Sequence, residues 1–515
     1  MPSRDLPARP HLEHLKNEAK ALRNAFARGE PAAIDRVTRE LGERSALKLT
    51  EAQRVIAREY GFASWARLRA HVLSSRGVED AVDAFLAAVA NGNAAGALEV
   101  LHQEPRIATT SMHVAAVLGL DVEVRRLIAA DLAQVHARRG PYGGQPLLWL
   151  CYSPFHGESA ERDEGLAAAT RALLDAGADP AARDQRHGVP ALYAVTGVNN
   201  APRIARILLD AGAPANDGES LFHAAERFHE ESLELLLEYG ADVNESGDWG
   251  NTPLYFLLRY WDVATMPRVK RGLLWLLEHG ADPNVPCDRE RWENSLHVAV
   301  RVGQDTSIVR LLLQHGADVR TRDADGRTAW LLAKRGGYDD TVNLLEEFGA
   351  GPESLTPADA LLAACGRGDA VAARHITSTE LIASLSDADL RLLPHAASRG
   401  RFAAVQACLE AGFPVDASDE TGATALHHAA IHGHAAIARM LLERGADFRR
   451  IDGEHHSTPM GWACFGADYV EEPDGEYEAT VRALLHAGAR HTSNDHPPRH
   501  AGVRSELDRH GSAEL

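Results

Sequence analysis

The chain has 515 residues, too many for one compact core, so several domains or an extended repeat array are expected. With 45% hydrophobic and 25% charged residues it has the composition of a folding chain, and its net charge of −19 argues against nucleic acid as the main partner. Cys151, Cys287, Cys365, Cys408 and Cys464 are widely spaced and form no C-x-x-C, as expected of reduced thiols in a cytoplasm. The first residues, MPSRDLPARPHLEHLKNEAK, hold no apolar signal region, and no run of eighteen apolar residues could span a membrane. Arginine outnumbers lysine and alanine is abundant, a codon-usage sign of a GC-rich bacterial genome.

Residues 1–75 carry 14 Lys and Arg against 9 Asp and Glu, a net of +5, which leaves −24 on the rest of a chain whose total is −19. The stretch 11–29 places Leu12, Leu15, Ala19, Leu22 and Phe26 on one helical face. Residues 49–72 read as two helices broken at Gly61, with Ser64 as the cap of the second. A basic helical module over 1–75 is therefore expected ahead of residue 80.

From there a phrase recurs: two leucines, a short polar pair, then Gly-Ala. It reads LLDAGAD at 173–179, LLEYGAD at 236–242, LLQHGAD at 312–318 and LLERGAD at 441–447. Its glycines stand at 177, 212, 240, 280, 316, 349, 412, 445 and 488, with most gaps near 35 residues and one of 63, close to two periods. The leucines end an amphipathic helix, and the glycine stops it in the left-handed conformation. Turn residues come next, as in DADG at 323–326 and DETG at 419–422. Then TPL at 252–254, TAL at 424–426 or TPM at 458–460 starts the next helix, with Thr as cap and Pro in the first turn. One such unit cannot bury its apolar faces alone, whereas a stack can.

The segment DETGATALHHAAIHGHAAIARMLLERGAD at 419–447 closely resembles the ankyrin-repeat consensus, and DADGRTAWLLAKRGGYDDTVNLLEEFGA at 323–350 is a looser copy. The resemblance covers roughly 80–491 and implies an all-α ankyrin solenoid of about twelve helix-turn-helix units. The N-terminal module resembles a short helical module that precedes ankyrin repeats in other bacterial proteins. Residues 81–138 and 354–417 keep the helix pair but lose much of the turn signature, and Pro394 stands where the consensus has the histidine of its TPLH motif. The expected organisation is thus 1–75, an N-terminal repeat block 80–353, a degenerate stretch 354–417 that would act as a soft joint, a C-terminal block 418–491, and a cap or tail 492–515. Acidic inserts containing aromatics interrupt two units at 153–165 and 466–477, and a third unit is extended around 259–271.

No mechanistic motif is present: no phosphate-binding glycine loop, no H-E-x-x-H, no G-x-S-x-G. No catalytic residue, cofactor or metal is expected. DADG lacks the glutamate that would complete a calcium loop. His428 and His432 could share a helix face, but His427 matches the TPLH histidine and His434 the usual Gly-His of ankyrins, so the histidines read as scaffold.

Candidate contact residues come from two patterns. Arg227, Arg259, Arg301, Arg335, Arg367, Arg399 and then His432 recur near the ends of successive first helices, which in an ankyrin stack line the concave face. A basic stripe there would suit an acidic partner. Trp249 and Trp292 fall in the finger turns of adjacent units, with Tyr255 nearby, and Trp and Arg are common interface hot spots. The concave side of 217–350 is the expected contact surface.

The expected function is a non-enzymatic, cytoplasmic, monomeric protein-binding scaffold, with no membrane. One alternative makes the basic module the effector end, touching nucleic acid or a regulatory complex. Another is a host-directed bacterial effector, and an enzyme would need an unrecognised site, for instance at the inserts.

Overall fold

The computed structural model describes residues 12–247, 250–260, 263–287, 292–470, 475–492 and 495–509. Every regular element among them is helical, and strand-like pairing is limited to isolated bridges such as Arg322 with Thr328 and Ser418 with Thr424. The chain falls into two compact units, Met1–Ala224 with His229–Ala241, and Ala225–Phe228 with Asp242–Leu515. The division lies inside the stretch expected as one block, 80–353.

The first unit opens with helices Leu12–Ala27, Pro31–Leu41 and Leu49–Glu59. Leu15, Ala19 and Leu22 of the expected face are buried, together with Val37, Val55 and Ile56. Glu59 is buried here and accepts two bonds from Arg36, of 2.8 and 2.7 Å. Ser64 Oγ accepts from Arg67 N at 3.3 Å, so the expected cap forms. The helix it starts does not stop near 75 but runs unbroken over Trp65–Ala90. No proline interrupts that stretch, and Gly77 is tolerated at a cost of about 1 kcal/mol. Leu68 and Val72 belong to the module's core, while Val82, Phe85 and Leu86 belong to the next one, so one helix serves two cores. Among the later helix pairs, Pro146–Cys151 precedes the insert 153–165, and the insert's last residues form the first turns of helix Ala160–Asp175. That insert is packed rather than open: Phe155 is buried, Ser153 Oγ donates to Val117 O at 2.7 Å, and Arg162 donates to Leu118 O at 2.5 Å.

The second unit is built from successive pairs. First helices are Pro253–Tyr260, Ser295–Arg301, Ala329–Gly336, Pro357–Arg367, Leu392–Ser398, Ala425–Ile431 and Pro459–Tyr469. Their partners are Pro267–Glu278, Thr306–Gln314, Asp339–Glu347, Ala370–Ile376, Phe402–Ala411, Ala435–Glu443 and Tyr477–His486. The nine periodic glycines all have φ between +85° and +99°. A Cβ at Gly177 would meet nothing within 4 Å, so the requirement there is purely conformational. Thr328 and Thr458 accept from Leu331 N and Gly461 N, each at 3.3 Å, and Thr252 from Tyr255 N, as the cap signals require.

The degenerate stretch departs most from the regular pattern. Two short helices, Thr379–Ala383 and Asp387–Leu390, lie where other units carry a finger hairpin. Pro394 is the third residue of helix Leu392–Ser398, a position with no intrahelical N–H bond to lose. Helix Phe402–Ala411 packs on both helices of the preceding pair. One core runs from Leu361 through Leu393 and Val405 to Leu426, Leu484 and Leu507, so the expected boundary at 417/418 does not divide it. The terminal helix Ala501–Arg509 lies on Tyr477–His486, with Val503 and Leu507 buried.

Candidate interaction surface

The fingers at 323–328 and 418–424 are tight turns, each organised by one carboxylate. Asp323 accepts from the backbone N–H of Asp325 and Arg327 at 3.0 and 2.8 Å, and Asp419 from Thr421 and Ala423 at 2.9 and 3.0 Å. The residue two before the helix cap takes a left-handed conformation. Gly188, Gly250, Gly326 and Gly422 occupy it with φ of +72°, +73°, +76° and +80°. In two fingers the position falls instead to Trp292 and His456, both at φ +51°. A bulky residue there is strained.

Trp292 is also 61% exposed, so burial does not offset that strain. The next residue, Glu293, is buried and held from three directions. Its two oxygens accept from Arg301 Nε and Nη2, both at 2.9 Å, and Oε2 also accepts from Tyr255 Oη at 3.1 Å. Glu293 is thus pinned beside an exposed indole. Tyr255 is fully buried, and burial beside Glu293 pushes its phenol further above the ordinary range. It is a core residue holding the finger, which corrects its assignment as a surface contact. Trp249 lies outside the described residues.

The basic stripe also needs correction. All seven residues stand at the ends of first helices, as the spacing predicts, but only Arg227 and Arg367 are exposed. Arg259 pairs with Glu420 at 3.2 Å and Arg301 with Glu293. Arg335 Nε lies 3.3 Å from Asp359 Oδ1, and its Nη2 bonds Asp389. Arg399 Nε donates to Val302 O at 2.9 Å. His432 stacks on His434, and burial pushes its pKa down to about 3, so it is neutral near pH 7. Arg259, Arg301 and Arg335 are therefore neutralised within the chain. A cavity of about 120 Å³ remains among them, walled by Arg301, Arg327, Arg335, Arg391, Glu293 and Asp389.

The histidines point at protein acceptors. His427 Nδ1 accepts from Thr424 N at 3.1 Å, which leaves Nε2 to donate to Ser457 O at 3.3 Å. His428 Nε2 lies 2.7 Å from Asp419 Oδ2, and His434 Nε2 lies 3.2 Å from Ser398 O. His297 repeats the motif, with Nε2 3.1 Å from Thr321 O. His297, His427 and His434 tie their units to neighbouring ones, while His428 braces the finger of its own unit.

Sequence reasoning missed the acids that neutralise the stripe. Glu293 stands one residue before a cap, Glu420 at a fingertip, and Asp389 in the degenerate stretch; none has a periodic signal. It also missed an aromatic patch on helix Pro459–Tyr469. Phe465 and Tyr469, 44% and 50% exposed, contact each other and His496, and Arg499 lies over Tyr469 at 5.7 Å. The i, i+4 spacing of the two aromatics was its only sequence signal.

Known proteins support the repeat reading. Models of ankyrin repeats (many copies) match residues 221–266, 276–330 and 393–442. Human ankyrin repeat domain-containing protein 63 is 37% identical over 187 residues, covering 34% of this chain and 41% of its own length. Human ankyrin repeat and SOCS box protein 16 is 29% identical over 290 residues, covering 56% of this chain and 49% of its own. An Arabidopsis thaliana E3 ubiquitin-protein ligase, KEG, is 35% identical over 121 residues, which is 22% of this chain and 7% of the ligase. The chain spans less than half the length of each of these relatives. The crystal structure of the human ASB11 ankyrin repeat domain covers 47% of this chain at 25% identity and a TM-score of 0.35, and this chain spans 99% of that domain. No helix among the described residues is long and apolar enough to cross a membrane. Periodic glycines, threonine caps, bonded TPLH-type histidines and the matched family models agree: the chain carries ankyrin repeats.

Proposed function

We propose that this chain is a non-enzymatic protein-interaction scaffold, and that it grips its partner through the finger edge of the second unit with Trp292 as an anchor. The observation that carries the reading is an exposed indole at a backbone position where four sibling fingers use glycine. An apolar ring left in water on strained backbone gains nothing from the fold, and a partner that buries it supplies the missing stabilisation. Ankyrin relatives are interaction scaffolds, which supports the same reading. Monomeric, cytoplasmic action in a bacterium is part of the proposal, resting on the reduced cysteines and the base composition. The partner is expected to be a protein of acidic character.

Trp292→Gly tests the anchor. Glycine fits the left-handed position, so this variant removes the indole without harming the finger. Capture of partners from the source organism, with identification by mass spectrometry, is expected to lose a protein that the wild type retains. An unchanged set of partners, with an unchanged melting curve, would remove Trp292 from the interface.

A further inference from the structure

Helices Pro357–Arg367 and Phe402–Ala411 pack closely because the surfaces that meet are small. A Cβ on Gly368 would lie only 2.6 Å from the Cβ of Ala403. Farther along the same contact, Ala364 and Cys365 of one helix and Ala404 and Cys408 of the other are buried in one core. There the two thiols are neighbours: burial, and the Cys365 thiol beside it, push the Cys408 thiol well above its ordinary range. The other cysteines of this unit have different surroundings. Cys287 meets Thr252 Oγ1 at 3.6 Å, and the Cys464 thiol has the carboxylates of Asp495 and Asp468 as its charged neighbours. The chain between Cys365 and Cys408 includes 377–391, where the two short helices Thr379–Ala383 and Asp387–Leu390 replace a finger hairpin and Asp389 bonds Arg335.

We propose that Cys365 and Cys408 are a redox staple: when the stretch 377–391 opens, a two-electron oxidant of the peroxide class joins them in a disulfide, and that bond then holds the stretch closed. The reactive species is the thiolate. Both sulfurs are fully buried in the closed array, so the pair stays reduced there. Opening admits water and oxidant together. One thiol loses its proton and attacks a peroxide oxygen, the O–O bond breaks, and the hydroxide released takes the proton and leaves as water. The sulfenic acid that remains is attacked by the second sulfur. The S–S bond forms, and the displaced hydroxyl leaves with the second thiol's proton as another water. Two thiols are oxidised and one peroxide is reduced, and a dithiol reductant reverses the change by exchange. The bond closes residues 366–407 into a loop, and a cross-link of that kind acts by restricting the open state. The staple therefore governs how readily Asp389 can leave Arg335, whatever the array binds, so it stands or falls separately from Trp292.

The test treats the full chain with hydrogen peroxide, in plain buffer and in urea just below its unfolding transition. Remaining thiols are alkylated and the digest is read by mass spectrometry. A Cys365–Cys408 disulfide, two hydrogens lighter than the reduced pair, is expected to form at least about tenfold faster in the urea. Dithiothreitol is expected to remove it. Hydrogen exchange across 377–391 is expected to slow at least about tenfold in the oxidised chain. Cys408→Ala, which suits a site between alanines, is expected to show neither the link nor the slowing. Should that variant not fold, wild type oxidised and then reduced with dithiothreitol supplies the same comparison. Peroxide that leaves both residues as thiols in the urea, or carries them to unlinked sulfinic acids, would overturn the proposal. So would a link that leaves exchange across 377–391 unchanged, or one that forms equally fast in plain buffer.

Discussion

Arg259 Nη2 stands 3.2 Å from Glu420 Oε1, joining a first helix to a fingertip 161 residues further along the chain. In a stack where units contact mainly their neighbours, such a bond couples parts that would otherwise unfold separately. Both side chains are about three-quarters or more buried. Arg259→Gln and Glu420→Gln are expected each to raise hydrogen exchange in both 253–260 and 417–424. The double variant should be no worse than the worse single one, giving a coupling on the order of 1 kcal/mol. Additive effects would show that the pair carries no stability.

Trp292→Gly also makes a statement about stability. Relief of a left-handed non-glycine residue is worth about 1 kcal/mol, and a mostly exposed indole returns little. The variant is therefore expected to melt at the same temperature as the wild type or slightly higher, with His456→Gly behaving alike. A clear drop in melting temperature for Trp292→Gly would show that the indole packs against the fold.

Acid should loosen the array well before carboxylates titrate. Burial pushes His113 and His427 down to about 4, and His432 to about 3. Their unfolded counterparts titrate near 6.5. Below that value the unfolded chain binds protons that the folded chain refuses, so each ring's contribution is complete above about pH 6.5 and is lost as pH falls toward 4. The loss is on the order of a few kcal/mol per ring. Melting temperature should fall steeply across that window, and His427→Gln should flatten the fall in the second unit. A flat profile between pH 7 and 5 would contradict these burials.

Asp468 anchors the end of the second unit. Its buried carboxylate accepts from the His496 ring at 2.9 Å, from Arg499 N at 2.7 Å and from His500 N at 2.7 Å. Asp468→Ala leaves those donors without their acceptor, at about 1–3 kcal/mol. Hydrogen exchange over 495–509 is expected to rise while that over 253–350 stays unchanged. Unaltered protection of helix Ala501–Arg509 would mean that Val503, Leu507 and the Arg482–Glu506 pair hold it alone.

What could be read from the sequence was decided by range. The glycine period, the scaffold histidines and the caps at Thr252, Thr328 and Thr458 are local devices, each written within a few residues, and they form as the sequence predicts, whereas Thr424 bonds the His427 ring instead of capping its helix. The stripe's spacing was legible for the same reason. Its fate was not: whether Arg259 faces a partner or Glu420 is settled by a contact made across 161 residues, far beyond the reach of any local pattern. Tyr255 shows the same limit, since an aromatic two residues after Pro253 reads alike as surface or core until Glu293 is placed above it. Trp292 was legible as unusual, but its left-handed backbone was not, because the cue was a glycine missing from a degenerate finger.

The helix Trp65–Ala90 gives the N-terminal module a rigid axle into the first repeat rather than a tether. Each residue added to such a helix rotates the segment beyond it by about 100° and advances it 1.5 Å. One residue inserted between Val72 and Val78 would therefore swing the basic module to a new bearing around the array. Seven inserted residues, close to two full turns, would return it almost in phase and about 10 Å further out. In this chain the direction in which the module presents its charge is a property of linker length counted in single residues.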